Sequence, residues 1–219
     1  AKQITKQEAK LDKRQSESIL VPELAMDLLE QISFEARDSE YVDAKSGVSA
    51  RMSITAFENL LSTAERRILK SGEKETIVRL SDFMGVVPAI TGKIELVYEG
   101  EQEGGAFVAE TLIEEAIKNI FPTLFPKINK LERKDAETPY DELTGWFFDQ
   151  DGFELFDEDS DKVYKEKLDS ITPDLAKNDS YFVKELILWG LVAHKKLSKY
   201  RFSDGVRFKD LYGSYISDL

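Results

Sequence analysis

The sequence predicts a mainly α-helical chain, and three observations carry that prediction. Apolar residues recur at helical spacing in four separate stretches, around Leu24–Ala36, Ile54–Ile68, Phe107–Phe121 and Ser180–Leu197. Capping residues stand at the ends of those stretches: Pro22 before the first, Ser49 or Ser53 before the second, Gly72 after it. Extended structure is restricted to short pieces, with one Asp204-Gly205 turn signal that suits a small tight hairpin over Phe202–Val206.

Lys2 to Ser18 reads as a charged helix or a ragged leading segment with few apolar anchors. A helix then starts at Pro22 and ends near Arg37, its buried stripe formed by Leu24, Leu28, Ile32 and Ala36. Asp38 to Gly47 is a polar connection. The second helix runs to Lys70 with Ile54, Phe57, Leu61, Ala64 and Ile68 on one face, and Arg66, Arg67 and Lys70 in the last turns where cations suit the dipole.

After an extended piece at Ile77–Leu80, Ser81-Asp82 caps a third helix through Ile90, closed by Thr91-Gly92. Ile94–Tyr98 is too short to separate strand from helical continuation by period. Gly100 to Gly105 reads as an acidic turn-rich loop. A fourth helix covers Phe107–Phe121 and is closed by Pro122 and Pro126. Ser160 caps a helix over Val163–Leu168, and a last one covers Ser180 to Leu197. Loop composition sets a soft boundary near Lys127–Pro139, giving domains 1–126 and 127–219.

The chain of 219 residues carries a net charge of −12 and no cysteine. Disulfides, thiolate metal sites and a cysteine nucleophile are therefore excluded. Between Lys130 and Ser180 stand 16 acidic and 7 basic residues, a balance that opposes binding to nucleic acid or an anionic membrane surface. No apolar run approaches the roughly 18 residues of a membrane span, and Ala1–Arg14 lacks the apolar core of a secretory signal. A cytoplasmic location is expected. The start at Ala1 rather than Met suggests a piece of a longer polypeptide.

Several motifs fail on their chemistry. Gly85–Lys93 offers two glycines and a lysine, but six residues separate the glycines where a P-loop has four, and Ile94 stands where a hydroxyl must reach Mg²⁺. Its plainer reading is a helix end. Asp149, Asp151, Gly152 and Glu158 fall at positions 3, 5, 6 and 12 of a calcium loop, yet Phe147 occupies position 1 and Glu154 the apolar position 8. A solvated acidic turn fits better. His194, the only histidine, lacks the partners for zinc or triad chemistry. A helix-turn-helix reading of Thr63–Ile90 fails because its second helix carries no Arg or Lys to read bases.

Arg51 is different. It lies in the first turn of the second helix, behind Ser46-Gly47-Val48-Ser49-Ala50, where the helix dipole repels a cation. That placement suits an arginine aimed outward at an anion held by another part of the molecule.

Gly47-Val48-Ser49-Ala50-Arg51-Met52-Ser53-Ile54, followed by Ala64-Glu65-Arg66-Arg67 and Val78-Arg79-Leu80-Ser81-Asp82, resembles the lid of AAA+ ATPases of the magnesium-chelatase subunit I and MoxR group. The likeness extends through Ile90–Leu96 and, more loosely, to Trp146-Phe147 and Glu185–Leu197. It implies a fold in two parts: an AAA+ helical lid bundle over 1–126, then an acidic helical extension over 127–219. It also implies that Arg51 is the sensor-2 arginine reading ATP against ADP, with Arg66 and Arg67 at a subunit interface. ATP and Mg²⁺ would be the cofactors of the longer protein, bound by a P-loop domain missing from these residues. A ring homo-oligomer and a remodelled protein client follow from the same likeness. Walker A, Walker B and arginine-finger loops are not recognisable here, so these residues alone should neither hold nucleotide nor hydrolyse it. The alternative is a free-standing acidic helical interaction module, with Trp146, Phe147, Phe148 and Phe153 as its adhesive patch.

Overall fold

The computed structural model describes residues 2–125, 138–174, 178 and 180–211. They divide into two compact units, Ala1–Ala116 and Ile117–Leu219. The expected boundary near Lys127–Pro139 falls largely outside the described residues, and the division into units lies upstream of it.

In the first unit, α1 (Lys2–Glu8) and α2 (Lys13–Ser18) lead into a two-residue strand β1 (Ile19–Leu20). Asp12 and Gln15 form a capping box at the start of α2. Next come α3 (Glu23–Asp38) and α4 (Ala50–Ser71), each within a residue or two of expectation. Helix α4 is the central element: α1, α3 and the segment after it all pack against it. Its apolar face buries Met52, Ala56, Phe57, Leu60, Leu61, Ala64 and Ile68. Gly72 ends α4 in the left-handed conformation, φ 73°, as its sequence position predicted.

Strand β2 (Thr76–Ile77) pairs in parallel with β1. The single third helix expected over Ser81–Ile90 is instead a 3₁₀ helix, Leu80–Val86, followed by α5 (Val87–Thr91). Gly85 lets this segment lie close against α4, since a Cβ there would stand 1.9 Å from Thr63 Oγ1.

Two further expectations are corrected here. Ile94–Tyr98 is neither a full strand nor a helical continuation: Leu96 makes an isolated antiparallel bridge to Val42, and Tyr98 opens a helix. That helix, α6 (Tyr98–Glu103), occupies the segment read as an acidic loop. Glu99 and Glu101 favour it by standing in its first turn. Helix α7 (Gly105–Leu124) begins two residues earlier than expected and carries Pro122 inside its last turn rather than stopping before it.

The second unit is built on α8 (Asp141–Phe148), β3 (Phe153–Phe156), α9 (Asp161–Asp169), α10 (Tyr181–Ala193), β4 (Ser198–Phe202) and β5 (Gly205–Lys209). Ser160 caps α9 through Val163 N, as expected. Helix α10 is apolar almost all round and is buried from Leu186 to Leu191, which places it at the core. It stops four residues short of Leu197. Lys195 takes a left-handed φ of 57°, and Lys196 N bonds Leu191 O at 2.8 Å, a Schellman closure without the usual glycine.

The expected hairpin is present as β4 and β5, but β3 joins it to make a three-stranded antiparallel sheet in the order β3-β5-β4. Gly205 serves the sheet rather than the turn. It pairs with both Phe156 and Phe202, and a Cβ on it would meet Leu155 O at 2.5 Å.

Candidate functional site

Ser49 has extended dihedrals and accepts the Arg51 N–H on Oγ at 3.2 Å, so the side chain ahead of Arg51 satisfies an orphan donor at the start of α4. Gly47, at φ 65°, makes the reversal that delivers Ser49 to that position. Arg51 itself is exposed, and its guanidinium has neither ion pair nor hydrogen bond among the described residues. It is a fixed-charge, planar donor presented outward from a rigid helix.

The loop ahead of it is strapped down by the segment before α6. Asp43 N donates to Glu95 O at 2.8 Å, Val97 N donates to Tyr41 O at 3.0 Å, and Val42 bridges Leu96 between them. Ser46 Oγ donates to the Glu95 carboxylate, and Lys45 N donates to Asp43 Oδ1 at 2.8 Å. Gly100 lets the two chains approach: a Cβ there would stand 2.5 Å from Tyr41 O. Sequence reading had no means of finding this strap, because its partners are separated by about fifty positions and carry no local pattern.

The two arginines grouped at the end of α4 part company. Arg66 is exposed. Arg67 is 4% exposed, and its place corrects the solvated-helix-end reading. Its Nη1 pairs with Asp82, while Nη2 donates to Thr76 Oγ1 at 3.1 Å and Ile77 O at 2.9 Å. Asp82 Oδ2 in turn accepts Arg79 N at 2.8 Å. Arg67 therefore ties α4 to β2 and to the 3₁₀ helix.

Gly85–Lys93 builds no phosphate cradle. The segment is helical, and Gly92 N bonds Pro88 O at 3.1 Å with φ at −81°. The acidic positions tested for calcium are likewise dispersed. Phe147 is fully buried, Glu154 lies on β3 and pairs with Arg207, and Asp151 lies 3.7 Å from Lys209. Among the described residues no group of three or more His, Asp or Glu converges as a metal site. Asp159 accepts Lys167 Nζ at 2.6 Å and Phe156 N at 3.1 Å, so the acidic run is partly tied into the fold.

Two of the four aromatics named for an interaction module belong to the core, and Trp146 is half-buried. Phe147 and Phe153 are buried and meet edge to face, with ring centroids 6.2 Å apart, leaving Phe148 as the exposed member at 68%. His194 is half-buried, its Nε2 lying 3.1 Å from Lys118 O. No helix among the described residues is long and apolar enough to cross a membrane.

No protein-family model matches the chain, and no curated protein or solved structure matches it either. The residues themselves therefore carry the functional argument.

Proposed function

We propose that the chain is the nucleotide-sensing helical lid and C-terminal region of an AAA+ ATPase of the magnesium-chelatase subunit I and MoxR kind. One observation supports this reading above the others. Arg51, the residue that the resemblance makes the sensor, has an unengaged guanidinium at the start of a capped helix, whereas Arg67 of the same motif is buried in internal bonds. A guanidinium so placed can form a bidentate, charge-assisted pair with phosphate oxygens.

The chemistry follows from what this chain has and lacks. No cradle for a triphosphate is formed among the described residues, and in this reading ATP and Mg²⁺ are held by a P-loop module lying elsewhere in the polypeptide or in the assembly. Arg51 contributes a positive charge that engages the β- and γ-phosphates and loses part of that engagement in the diphosphate. The lid then moves with nucleotide state, and a ring of such subunits passes the movement to a protein client.

The test is steady-state ATP turnover by the assembly that joins this chain to its P-loop module. Arg51→Ala should lower turnover by about tenfold or more, in keeping with the worth of an arginine on a transferring phosphoryl group. Turnover unchanged by Arg51→Ala overturns the assignment.

A further inference from the structure

We propose that α1 is a clasp latched by charge over the first turn of α4, and that it opens ahead of the rest of its unit when its ion pairs to α3 are screened. Helix α1 packs on both α3 and α4. Lys2 pairs with Asp27 and, at 3.5 Å, with Glu23, and Lys6 Nζ donates to Glu23 Oε2 at 3.0 Å. Further along, Lys10 N donates to Glu58 Oε1 and Gln15 Nε2 to Glu65 Oε2, each at 2.8 Å. Carboxylates on α3 and α4 thus receive the whole leading segment.

Apolar burial adds little to that hold. Thr5 is the one buried residue of α1, and α2 has none. Ile4, the one aliphatic side chain of α1, is 55% exposed. The contact is also incompletely filled. A small cavity lies between Lys2 and Thr5 of α1, Met26, Leu29 and Glu30 of α3, and Ser53 of α4. Atoms lining a void forgo part of their dispersion contact. The first buried apolar residue among those described is Ile19 on β1, where pairing with β2 begins.

A seven-residue helix does not persist alone in water, so α1 is folded only while it is docked. Its docking rests on pairs whose side chains remain 29–66% exposed, where salt screens charge and each pair is worth little. Helices α3 and α4 instead meet through buried apolar faces and the Ser33–Ser53 hydroxyl bond at 2.8 Å, which screening leaves intact. Opening therefore parts α1 from a core that stays closed. Ser53 follows Arg51 by two positions, so the clasp covers the turn that presents that arginine.

The chain has no cysteine, so single thiols report the opening. Thr5→Cys and Ser53→Cys, in separate proteins, place one on each side of the contact, and Ala64→Cys places one on α4 at a fully buried position. Each is alkylated with iodoacetamide, an uncharged reagent, and its rate is divided by that of the same chain unfolded in urea at the same salt. Raising salt from ~0.05 to ~0.5 M should speed labelling at positions 5 and 53 about fivefold and leave position 64 unchanged. Glu23→Gln combined with Asp27→Asn should bring the faster rate to low salt and flatten the salt dependence. Three results overturn the proposal: a rate at position 5 or 53 that ignores salt and the neutralised carboxylates, a rise at position 64 that matches theirs, or a thiol at position 5 as reactive in the folded chain as in the unfolded one.

Discussion

His194 donates its Nε2 hydrogen to the backbone carbonyl of Lys118 across 3.1 Å, and Pro122 explains the pairing. Pro122 sits inside the last turn of α7 and has no N–H for the carbonyl four residues back, which is that of Lys118. A carbonyl can only accept, so Nε2 carries the proton in this pair. The lone histidine thus completes a helix that a proline would otherwise leave short of one bond. The ring also lies 5.5 Å from that of Phe121. His194→Ala should destabilise the chain by about 1 kcal/mol in urea unfolding, the usual worth of one such bond. In a Pro122→Ala background, the restored N–H at position 122 should remove most of that penalty. A histidine penalty that stays the same in both backgrounds refutes the pairing.

Arg67 and Arg66 are adjacent in sequence and opposite in consequence. Arg67 is buried against Asp82, Thr76 and Ile77, so truncating it leaves a buried carboxylate without its counter-charge. Arg67→Ala should cost about 3–5 kcal/mol, the range for breaking a buried pair by removing one partner. Arg67→Lys should also be costly, because an ammonium cannot span the three acceptors that the guanidinium fork reaches. Arg66→Ala should fall within about 0.5 kcal/mol of the parent, as exposed substitutions do. Chemical denaturation of the three variants settles the order.

The contrast between these neighbours shows where sequence reading stops. Helical period placed α3 and α4 within two residues, since amphipathic stripes, Ser49 and Gly72 are local signals. The same reading treated Arg66-Arg67 as one basic helix end, because the Asp82 that claims Arg67 lies beyond a turn of unknown path. It read Gly100–Gly105 as a loop because three glycines lower helix propensity. Gly100 instead sits where a Cβ would press against Tyr41 O. It found the β4-β5 hairpin from Asp204-Gly205 but not β3, whose pairing with β5 spans about fifty residues. Arg51 was legible as an exposed helix-start cation, whereas the strap that fixes its loop was not.

Asp169 accepts Lys184 Nζ and the Tyr181 hydroxyl, the latter at 3.0 Å. The hydrogen bond from Lys184 is the leading cause that holds the carboxyl below the ordinary aspartate value, with Tyr181 adding to it; the same carboxylate raises the Tyr181 hydroxyl. A depressed carboxyl stabilises the fold above its unfolded pKa of about 3.9 and loses that contribution as pH falls through the folded value. Tyr181 acts in the opposite direction: its contribution is present below about pH 10 and is lost as pH rises through its raised folded value. Asp169 is about half exposed, so solvent screening keeps the acid effect modest. Carboxyl titration followed by NMR should show the Asp169 midpoint rising toward the ordinary value in Lys184→Met. A midpoint that does not move removes Lys184 as the cause.

The strap between the Tyr41–Ser46 loop and Glu95–Gly100 should control how firmly Arg51 is presented. Two backbone hydrogen bonds and the Ser46–Glu95 hydrogen bond hold the loop, and the last is exposed, so Glu95→Ala alone should loosen it only slightly. Glu95→Gln should behave like the parent, because the amide oxygen still accepts from Ser46. Gly100→Ala is the stronger perturbation. A Cβ at 2.5 Å from Tyr41 O cannot be accommodated without moving the loop backbone, whatever rotamers adjust. Amide hydrogen exchange over residues 41–52 should therefore accelerate in the order parent, Glu95→Ala, Gly100→Ala, with α4 beyond Ala56 unchanged. Uniform acceleration along α4 would show that Gly100→Ala weakens the whole unit rather than the strap. The measurement needs no nucleotide, so it tests the support of Arg51 separately from its proposed role.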